Sequence, residues 1–379
     1  VERRLGFKTL ILGTPKEIKD HEYRVGVTPS GVKEFVKNGH EVLIEKGAGL
    51  GSGFSDGEYE AAGARIVSSS EELYSKAEMI YKIKEPLEPE YPLLREGQIV
   101  FTYFHFASDE KLTRAMLDRK IVAIAYETIE TEDGRLPLLE PMSEIAGQMA
   151  SIIGAYYLMK PQKGRGILPG GILGVPPAEF LILGGGAVGF NAAKIAAGMG
   201  AHVTILQRSE ARMRYLKDVL PANVDVVKFN AENLREYLRK ADVIVGAVLV
   251  AGAKAPKLVT KDMLKLMKKG AVIVDVSVDQ GGIFETTKPT FHSDPVYEVD
   301  GIIHYCVANM PGAYPLTSTL AITNVTLPYA LEIANKGWRR ALRENPALRK
   351  GLNMALGKVT HKGVAEAFNL EYYPPETFL

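Results

Sequence analysis

Short apolar runs alternate with amphipathic stretches along most of this chain. In its first third the runs fall at residues 9–12, 42–44, 79–83, 99–104 and 121–125, with helix-like segments such as 30–38 and 109–119 between them. That alternation predicts a parallel sheet with helices on both faces. The same rhythm returns later, with runs at 178–183, 201–206, 224–228, 243–247 and 271–276. The expected fold class is therefore α/β: two doubly wound parallel-sheet domains of the Rossmann type, joined by long helices, with a cleft between them. Residues 1–139, completed by 312–379, make the expected substrate domain, and 140–311 the dinucleotide-binding domain.

Two helical patterns mark the crossings. The first sets Ile145, Met149, Ile152, Ile153 and Tyr156 at the spacing of one helix face. Ser143 is placed to cap this helix and Pro161 to stop it. Residues 160–177 then carry five glycines and four prolines, which predicts a long loop with a functional or interfacial role. The second pattern, near 318–336, is interrupted by Pro328 and should cross back to pack on the first domain.

Gly184-x-Gly186-x-x-Gly189 is the most informative local pattern. It follows the apolar run at 178–183 and precedes an alanine-rich helical stretch, 190–199, with a second apolar run at βαβ distance. In that setting the first glycine makes a tight turn, the second admits a pyrophosphate to the backbone, and the third lets helix and strand pack closely. The helix N-terminus adds N–H donors and positive potential.

Composition narrows the field. With 379 residues, two domains are expected. A net charge of +1 offers no basic surface for nucleic acid or membrane. No window is apolar enough to span a bilayer and no signal peptide is evident, so the cytoplasm is the expected compartment. A single cysteine, Cys306, excludes an internal disulfide and a cysteine zinc cage, and the histidines show no ligand spacing; no metal is expected.

In open parallel sheets ligands bind beyond the carboxyl ends of the strands. That rule selects Lys82 and Lys84 at or just past the end of the run at 79–83, His105 after 99–104, and Asp279 after 271–276. His105 sits among aromatic residues, which favours a neutral imidazole able to accept a proton; the same setting suits a core histidine. Strand alternation would put Lys82 and Lys84 on one side, as substrate contacts or as solvated partners of Glu85. Arg24 could offer its planar fork to a carboxylate. Asp279, before Gly281-Gly282, is either a reacting group or the cap of a turn.

Several motifs together resemble one family. They are Thr14-Pro15-Lys16-Glu17 with Glu22-Tyr23-Arg24-Val25, Val42-Leu43-Ile44-Glu45 with Gly47-Ala48-Gly49, and Lys82-Ile83-Lys84-Glu85-Pro86. Further along come Glu140-Pro141-Met142-Ser143-Glu144, Asp275-Val276-Ser277-Val278-Asp279-Gln280-Gly281-Gly282 and Tyr305-Cys306-Val307-Ala308-Asn309-Met310-Pro311. From Thr14 to Gly351 the chain resembles the alanine dehydrogenase family, whose wider group includes the nicotinamide-binding subunit of transhydrogenase. The resemblance implies that Arg24 and Lys84 hold the substrate, with Asn309 and Met310 beside it, and that His105 and Asp279 act as acid and base. It implies cofactor contacts from Ser143, Ala187, Val188, Arg212, Val248, Leu249, Val276 and Val307, beside Gly184, Gly186 and Gly189. It also implies NAD in the second domain, assembly as a homo-hexamer, and reversible conversion of L-alanine to pyruvate and ammonium. Other readings are a dehydrogenase or reductase of another small 2-amino or 2-oxo acid, and a non-catalytic nicotinamide-binding module.

One position departs from the pattern. The second strand of the fingerprint should end in an acidic residue for the adenine ribose, but here Gln207 stands there, followed by Arg208. A neutral amide beside a guanidinium tolerates a 2′-phosphate, so NADP is plausible as well as NAD. The alternative is that Arg208 points to solvent and NAD binding is merely weaker.

Overall fold

The computed structural model describes residues 9–249 and 254–379. The chain divides into two compact units, one running to Met142 and resuming at Gly312–Leu379, the other Ser143–Pro311. The first division falls inside the helix Glu140–Tyr157.

The first unit begins with β1 (Ile11–Thr14), β2 (Glu41–Glu45), β3 (Arg65–Val67), β4 (Met79–Tyr81), β5 (Ile99–Thr102) and β6 (Val122–Ala125). The second contains β7 (Glu179–Leu183), β8 (His202–Gln207), β9 (Val224–Lys228), β10 (Val243–Gly246), β11 (Val272–Asp275), β12 (Val296–Val299) and β13 (Ile302–Tyr305). Back in the first unit, β14 (Leu352–Ala355) and β15 (Lys358–Val359) complete its sheet. The strand orders are β15-β14-β6-β5-β4-β1-β2-β3 and β12-β13-β11-β10-β7-β8-β9. Each contains a doubly wound run that reverses direction at its first strand, β1 or β7. Neither sheet is purely parallel: β14 and β15 pair antiparallel at one edge, and β12 does so in the second. β3, β12 and β15 are edge strands, and β14, though interior and buried, has only four residues with Asn353 among them; none stands out as an apolar run in the sequence.

Burial on both faces explains the unbroken apolar runs. In β7, Phe180 and Ile182 join one hydrophobic cluster, while Leu181 and Leu183 join the cluster on the opposite face. β10 divides the same way, with Val243 and Val245 on one side and Ile244 on the other. Alternation of side chains along a strand requires this division.

Several elements differ from the sequence expectation. β1 lies two residues later than the run at 9–12, while β4 ends at Tyr81 and β5 at Thr102. Ser143 does not cap its helix, which already begins at Glu140. Of the expected stripe, Met149 and Ile153 do pack on the second unit's core, with Ala146, Ala150 and Tyr157 beside them, whereas Ile152 and Tyr156 are exposed. Small residues explain the difference. A Cβ on Gly147 would lie 2.3 Å from the Val188 carbonyl oxygen, and one on Gly154 2.5 Å from a Val243 methyl. Ser151 Oγ donates to the Ala192 carbonyl at 2.7 Å. Close backbone approach, not the largest apolar side chains, decides which face is buried.

Pro328 does not interrupt the second long helix, Pro315–Lys336, which runs through it. This helix belongs to the first unit, where Thr319 Oγ1 accepts from Val25 N at 3.2 Å and Thr326 Oγ1 meets the Tyr81 hydroxyl at 2.5 Å. Packing of this kind outweighs the loss of one helical hydrogen bond.

At the amino edge of the second sheet, His202 lies between Glu179 (2.7 Å) and Asp225 (3.0 Å). The Glu179 hydrogen bond leads in raising its pKa above 6.5, aided by Asp225 and opposed by partial burial. A raised histidine pKa stabilises the folded state below 6.5, and the contribution is lost as pH rises through the folded value. The site is over a third exposed, so the effect is expected to stay below ~1 kcal/mol. Thermal melts should show His202→Gln less stable than the parent at pH 6, with the gap closing at alkaline pH. A gap independent of pH would contradict this account.

Candidate functional site

In the first unit the candidate residues lie just beyond the carboxyl ends of β1, β4 and β5. Gly26 lets the segment carrying Arg24 lie against the end of β4, since a Cβ there would sit 2.3 Å from the Tyr81 carbonyl oxygen. Arg24 is buried, with Glu22 accepting from Nε at 2.7 Å and from Nη2 at 2.6 Å. Burial opposes the guanidinium charge, but Glu22 more than offsets this and the pKa is raised. A two-point pair fixes the plane of the fork. Nη1 is directed at Met142 Sδ, 3.3 Å away, a much weaker acceptor than a carboxylate.

Lys84 is held by its own peptide. Its N–H donates to Glu17 Oε1 at 3.3 Å, and its carbonyl accepts from Thr102 Oγ1 at 3.0 Å. Glu17 Oε1 also accepts from Ile83 N at 2.7 Å. Neither lysine is solvated: Lys82 is 1% exposed and Lys84 7%. They also part company, because β4 stops before strand alternation can align them. Lys82 Nζ enters a buried cluster, 3.3 Å from Glu17 and 3.0 Å from Glu90. Lys84 Nζ lies 4.0 Å from Glu85, which also pairs with Lys19. Burial works against the Glu85 charge, yet the two lysines hold its carboxyl down to about 2. Glu17 moves the other way: burial pushes it up to about 7, with Lys82 opposing.

His105 takes a left-handed backbone conformation, φ 54° and ψ 41°. A non-glycine residue there costs on the order of 1–3 kcal/mol and persists only where its surroundings enforce it. Its ring stacks on Tyr103, with centroids 5.9 Å apart and planes within 4°. Tyr103 is buried and its hydroxyl donates to the Leu138 carbonyl. The histidine is half-buried at a rigid aromatic wall.

In the second unit the glycine motif forms the turn between β7 and the helix Ala187–Gly198. That helix starts three residues before the expected 190. Gly184 has φ 101°, and a Cβ on Gly189 would fall 1.8 Å from the Gly184 carbonyl oxygen. At Gly186, the N-cap, a Cβ would meet nothing within 4 Å, and no side chain caps the helix. The turn thus leaves open space in front of N–H donors, the form a pyrophosphate requires. Ala187 is half-buried at the first helical position; Val188 is buried in the core.

At the end of β8, Gln207 Oε1 accepts from the backbone N–H of Arg208 (2.7 Å) and Ser209 (3.2 Å). Arg208 lies over the Phe229 ring, 4.9 Å from its centroid. Arg212 donates from Nε to the Gly185 carbonyl at 2.6 Å, and Lys228 Nζ donates to the Arg208 carbonyl at 2.6 Å. Arg208, Arg212 and Lys228 thus stand on the chain segments next to Gln207, Lys228 as its register partner on β9.

Beyond β11, Asp275 holds the segment that carries Asp279. Its carboxylate accepts from Ser277 N at 3.1 Å, Ile283 N at 3.0 Å and Thr287 Oγ1 at 2.5 Å. Burial pushes it up to about 6 against those hydrogen bonds. Asp279 itself is exposed on the 3-10 turn Val276–Gln280. Ser277 Oγ ties this turn to the Val248 carbonyl at 2.6 Å, next to exposed Leu249. Val276 is half-buried, while Val307 and Met310 are buried within the core cluster, so their side chains serve packing. The Asn309 carbonyl accepts from His292 Nε2 at 2.7 Å. Ser143 is half-buried inside its helix. Cys306 is buried and its thiol pushed up to about 12 by burial, which leaves it unreactive. Among the described residues no cluster could hold a metal ion.

Sequence reasoning had not singled out Glu17, Glu22, Glu127 or Asp275 for a role. Glu22 was findable, two residues before Arg24; Glu127 left no local signal.

Fold and glycine turn together define a two-unit α/β protein with a dinucleotide-type site. Comparison narrows the class. Residues 13–146 match the model "Alanine dehydrogenase/PNT, N-terminal domain", and residues 150–362 match "Alanine dehydrogenase/PNT, C-terminal domain". An alanine dehydrogenase of Methanococcus maripaludis is 56% identical over 98% of this chain and 100% of its own length. Alanine dehydrogenase 2 of Staphylococcus aureus is 53% identical over 97% and 99%. A solved L-alanine dehydrogenase superposes with TM-score 0.90 at 46% identity, covering 95% of this chain and 99% of its own. The transhydrogenase from Sinorhizobium meliloti follows at TM-score 0.77 and 25% identity, covering 93% and 99%. The chain belongs to the alanine dehydrogenase/PNT family.

The glycines separate packing from ligand approach. Gly186→Ala, in an extended conformation with open space around it, should leave the melting temperature unchanged and weaken NADH binding at least about tenfold. Gly189→Ala should lower the melting temperature, because its Cβ meets backbone. Unimpaired NADH binding by Gly186→Ala would show that the turn holds no dinucleotide.

Proposed function

We propose that this protein is an L-alanine dehydrogenase, catalysing L-alanine + NAD⁺ + water ⇌ pyruvate + ammonium + NADH + H⁺. The observation that carries the reading is the full-length match to alanine dehydrogenases, with more than half of all residues identical. The turn at Gly184–Gly189 fits a dinucleotide, since Gly186 leaves room for the pyrophosphate and the uncapped helix faces it. A nicotinamide bound in this unit supplies the hydride acceptor.

In this reading the unit ending at Met142 and resuming at Gly312 is the substrate domain, and Ser143–Pro311 binds the dinucleotide. Arg24, its plane set by Glu22, binds the alanine carboxylate, which is a stronger acceptor than the Met142 thioether. Lys84, its peptide fixed on both sides, polarises the nitrogen or oxygen on Cα. Together they hold the Cα–H bond in one direction, and positioning of this kind supplies much of the rate. Once hydride has left Cα, water adds to the imino carbon and ammonia departs; His105 and Asp279 carry the protons of the amine, the water and the carbinolamine. A membrane-associated nicotinamide module, suggested by the transhydrogenase likeness, is the weaker reading at 25% identity. Among the described residues no helix is long and apolar enough to cross a membrane.

The reading extends to NADP. Gln207 carries no charge to repel a 2′-phosphate, and Arg208, Arg212 and Lys228 lie on the neighbouring chain segments. Self-association is also proposed: Ile152, Tyr156 and Met159, with Leu168, Ile172 and Leu173 on the loop that follows, are exposed apolar side chains. Light scattering should give a multiple of the chain mass, sixfold by family likeness, and Ile152→Lys with Leu173→Lys should reduce it. A monomeric parent protein would rule this out.

Purified protein with L-alanine should reduce both NAD and NADP, with kcat/KM for NADP within about tenfold of that for NAD. Arg208→Ser should lower the NADP value by about tenfold or more and barely move the NAD value. An advantage for NAD of several orders of magnitude would reject the NADP reading, and no reduction with either cofactor would reject the enzyme.

A further inference from the structure

The loop carrying His105 is fixed by a residue 22 positions later in the chain. β5 and β6 pair in parallel up to Thr102 opposite Ala125, and there the ladder stops. Two residues further along each strand, the Glu127 side chain takes over the bonding. Its Oε1 accepts from His105 N at 2.6 Å, and Phe104 N lies 3.3 Å from Oε1 and 3.2 Å from Oε2. We propose that Glu127 is the positioning residue for His105: its carboxylate holds the left-handed backbone there and so aims the imidazole. The inference rests on the reading of His105 as an acid/base residue.

Other contacts support the same turn without reaching its N–H. The His105 carbonyl accepts from Ser108 N at 3.0 Å and from Ser108 Oγ at 2.8 Å. Tyr103 supports one face of the ring. What remains is a left-handed conformation that the chain would leave if its N–H were released, and Glu127 is the group that holds that N–H. A carboxylate suits two neighbouring donors because it only accepts. The device recurs at the next strand, where Glu17 Oε1 takes the N–H groups of Ile83 and Lys84. Each of these two reactive side chains thus stands on a peptide gripped by a carboxylate from elsewhere in the chain.

The test compares Glu127→Ala, Glu127→Gln and His105→Ala in the full-length protein, with NADH binding and thermal melts beside the kinetics. Glutamine keeps an acceptor oxygen for His105 N and alanine keeps none. Glu127→Ala should lose kcat by on the order of 10- to 100-fold with NADH binding unchanged. Glu127→Gln should recover to within about fivefold of the parent, since one acceptor suffices for the shorter bond. An inactive His105→Ala beside a Glu127→Ala with parental kcat would overturn the positioning role. Glu127→Gln as impaired as Glu127→Ala would overturn it too, since charge and not hydrogen-bond acceptance would then matter. Retained activity in His105→Ala would instead bring down the underlying reading of the histidine.

Discussion

A parallel sheet leaves the peptide groups beyond its carboxyl edge without ladder partners, and every buried N–H among them needs an acceptor. In this protein carboxylates supply it. Glu17 serves the chain after β4, Glu127 the chain after β5, and Asp275 the chain after β11. These are the loops that carry Lys84, His105 and Asp279. Backbone satisfaction and placement of these candidate side chains are therefore one problem with one solution. Burial raises the pKa of Glu17 and of Asp275, so their charges are costly to keep; the loops they organise account for their presence.

Much of this was legible in the sequence, for physical reasons that differ by element. The glycine turn could be read because each glycine has a separate steric task, and Gly184, Gly186 and Gly189 each meet a different environment. The central strands could be read because burial on both faces demands uninterrupted apolar residues. The helix Glu140–Tyr157 is legible, with Met149 and Ile153 on its packed face, but the exposure of Ile152 and Tyr156 is not: glycine, alanine and serine pack closest and score lowest on any hydrophobic count. Edge strands β3, β12 and β15 do not stand out because an edge tolerates polar residues, and interior β14 because it has only four residues with Asn353 among them.

The candidate site residues divide similarly. Lys84, His105 and Asp279 follow from where strands end. Arg24 was visible as a motif, but the two-point pair with Glu22 that sets its plane appears only in three dimensions. Glu127 was invisible, because its partners lie on another strand and nothing local marks it. At the second strand of the glycine unit the sequence posed a question about charge, and the fold sharpened it. Gln207 spends its oxygen on the backbone, and the cation Lys228 is its register partner on β9.

Hydride transfer from Cα of L-alanine is the step on which the proposed activity stands. The most direct test uses L-alanine deuterated at Cα with NAD, followed by NMR of the dinucleotide product. The account predicts deuterium at the nicotinamide C4 in step with pyruvate formed. Pyruvate without deuterium in the dinucleotide, or a dinucleotide left oxidised while bound to the protein, would contradict it.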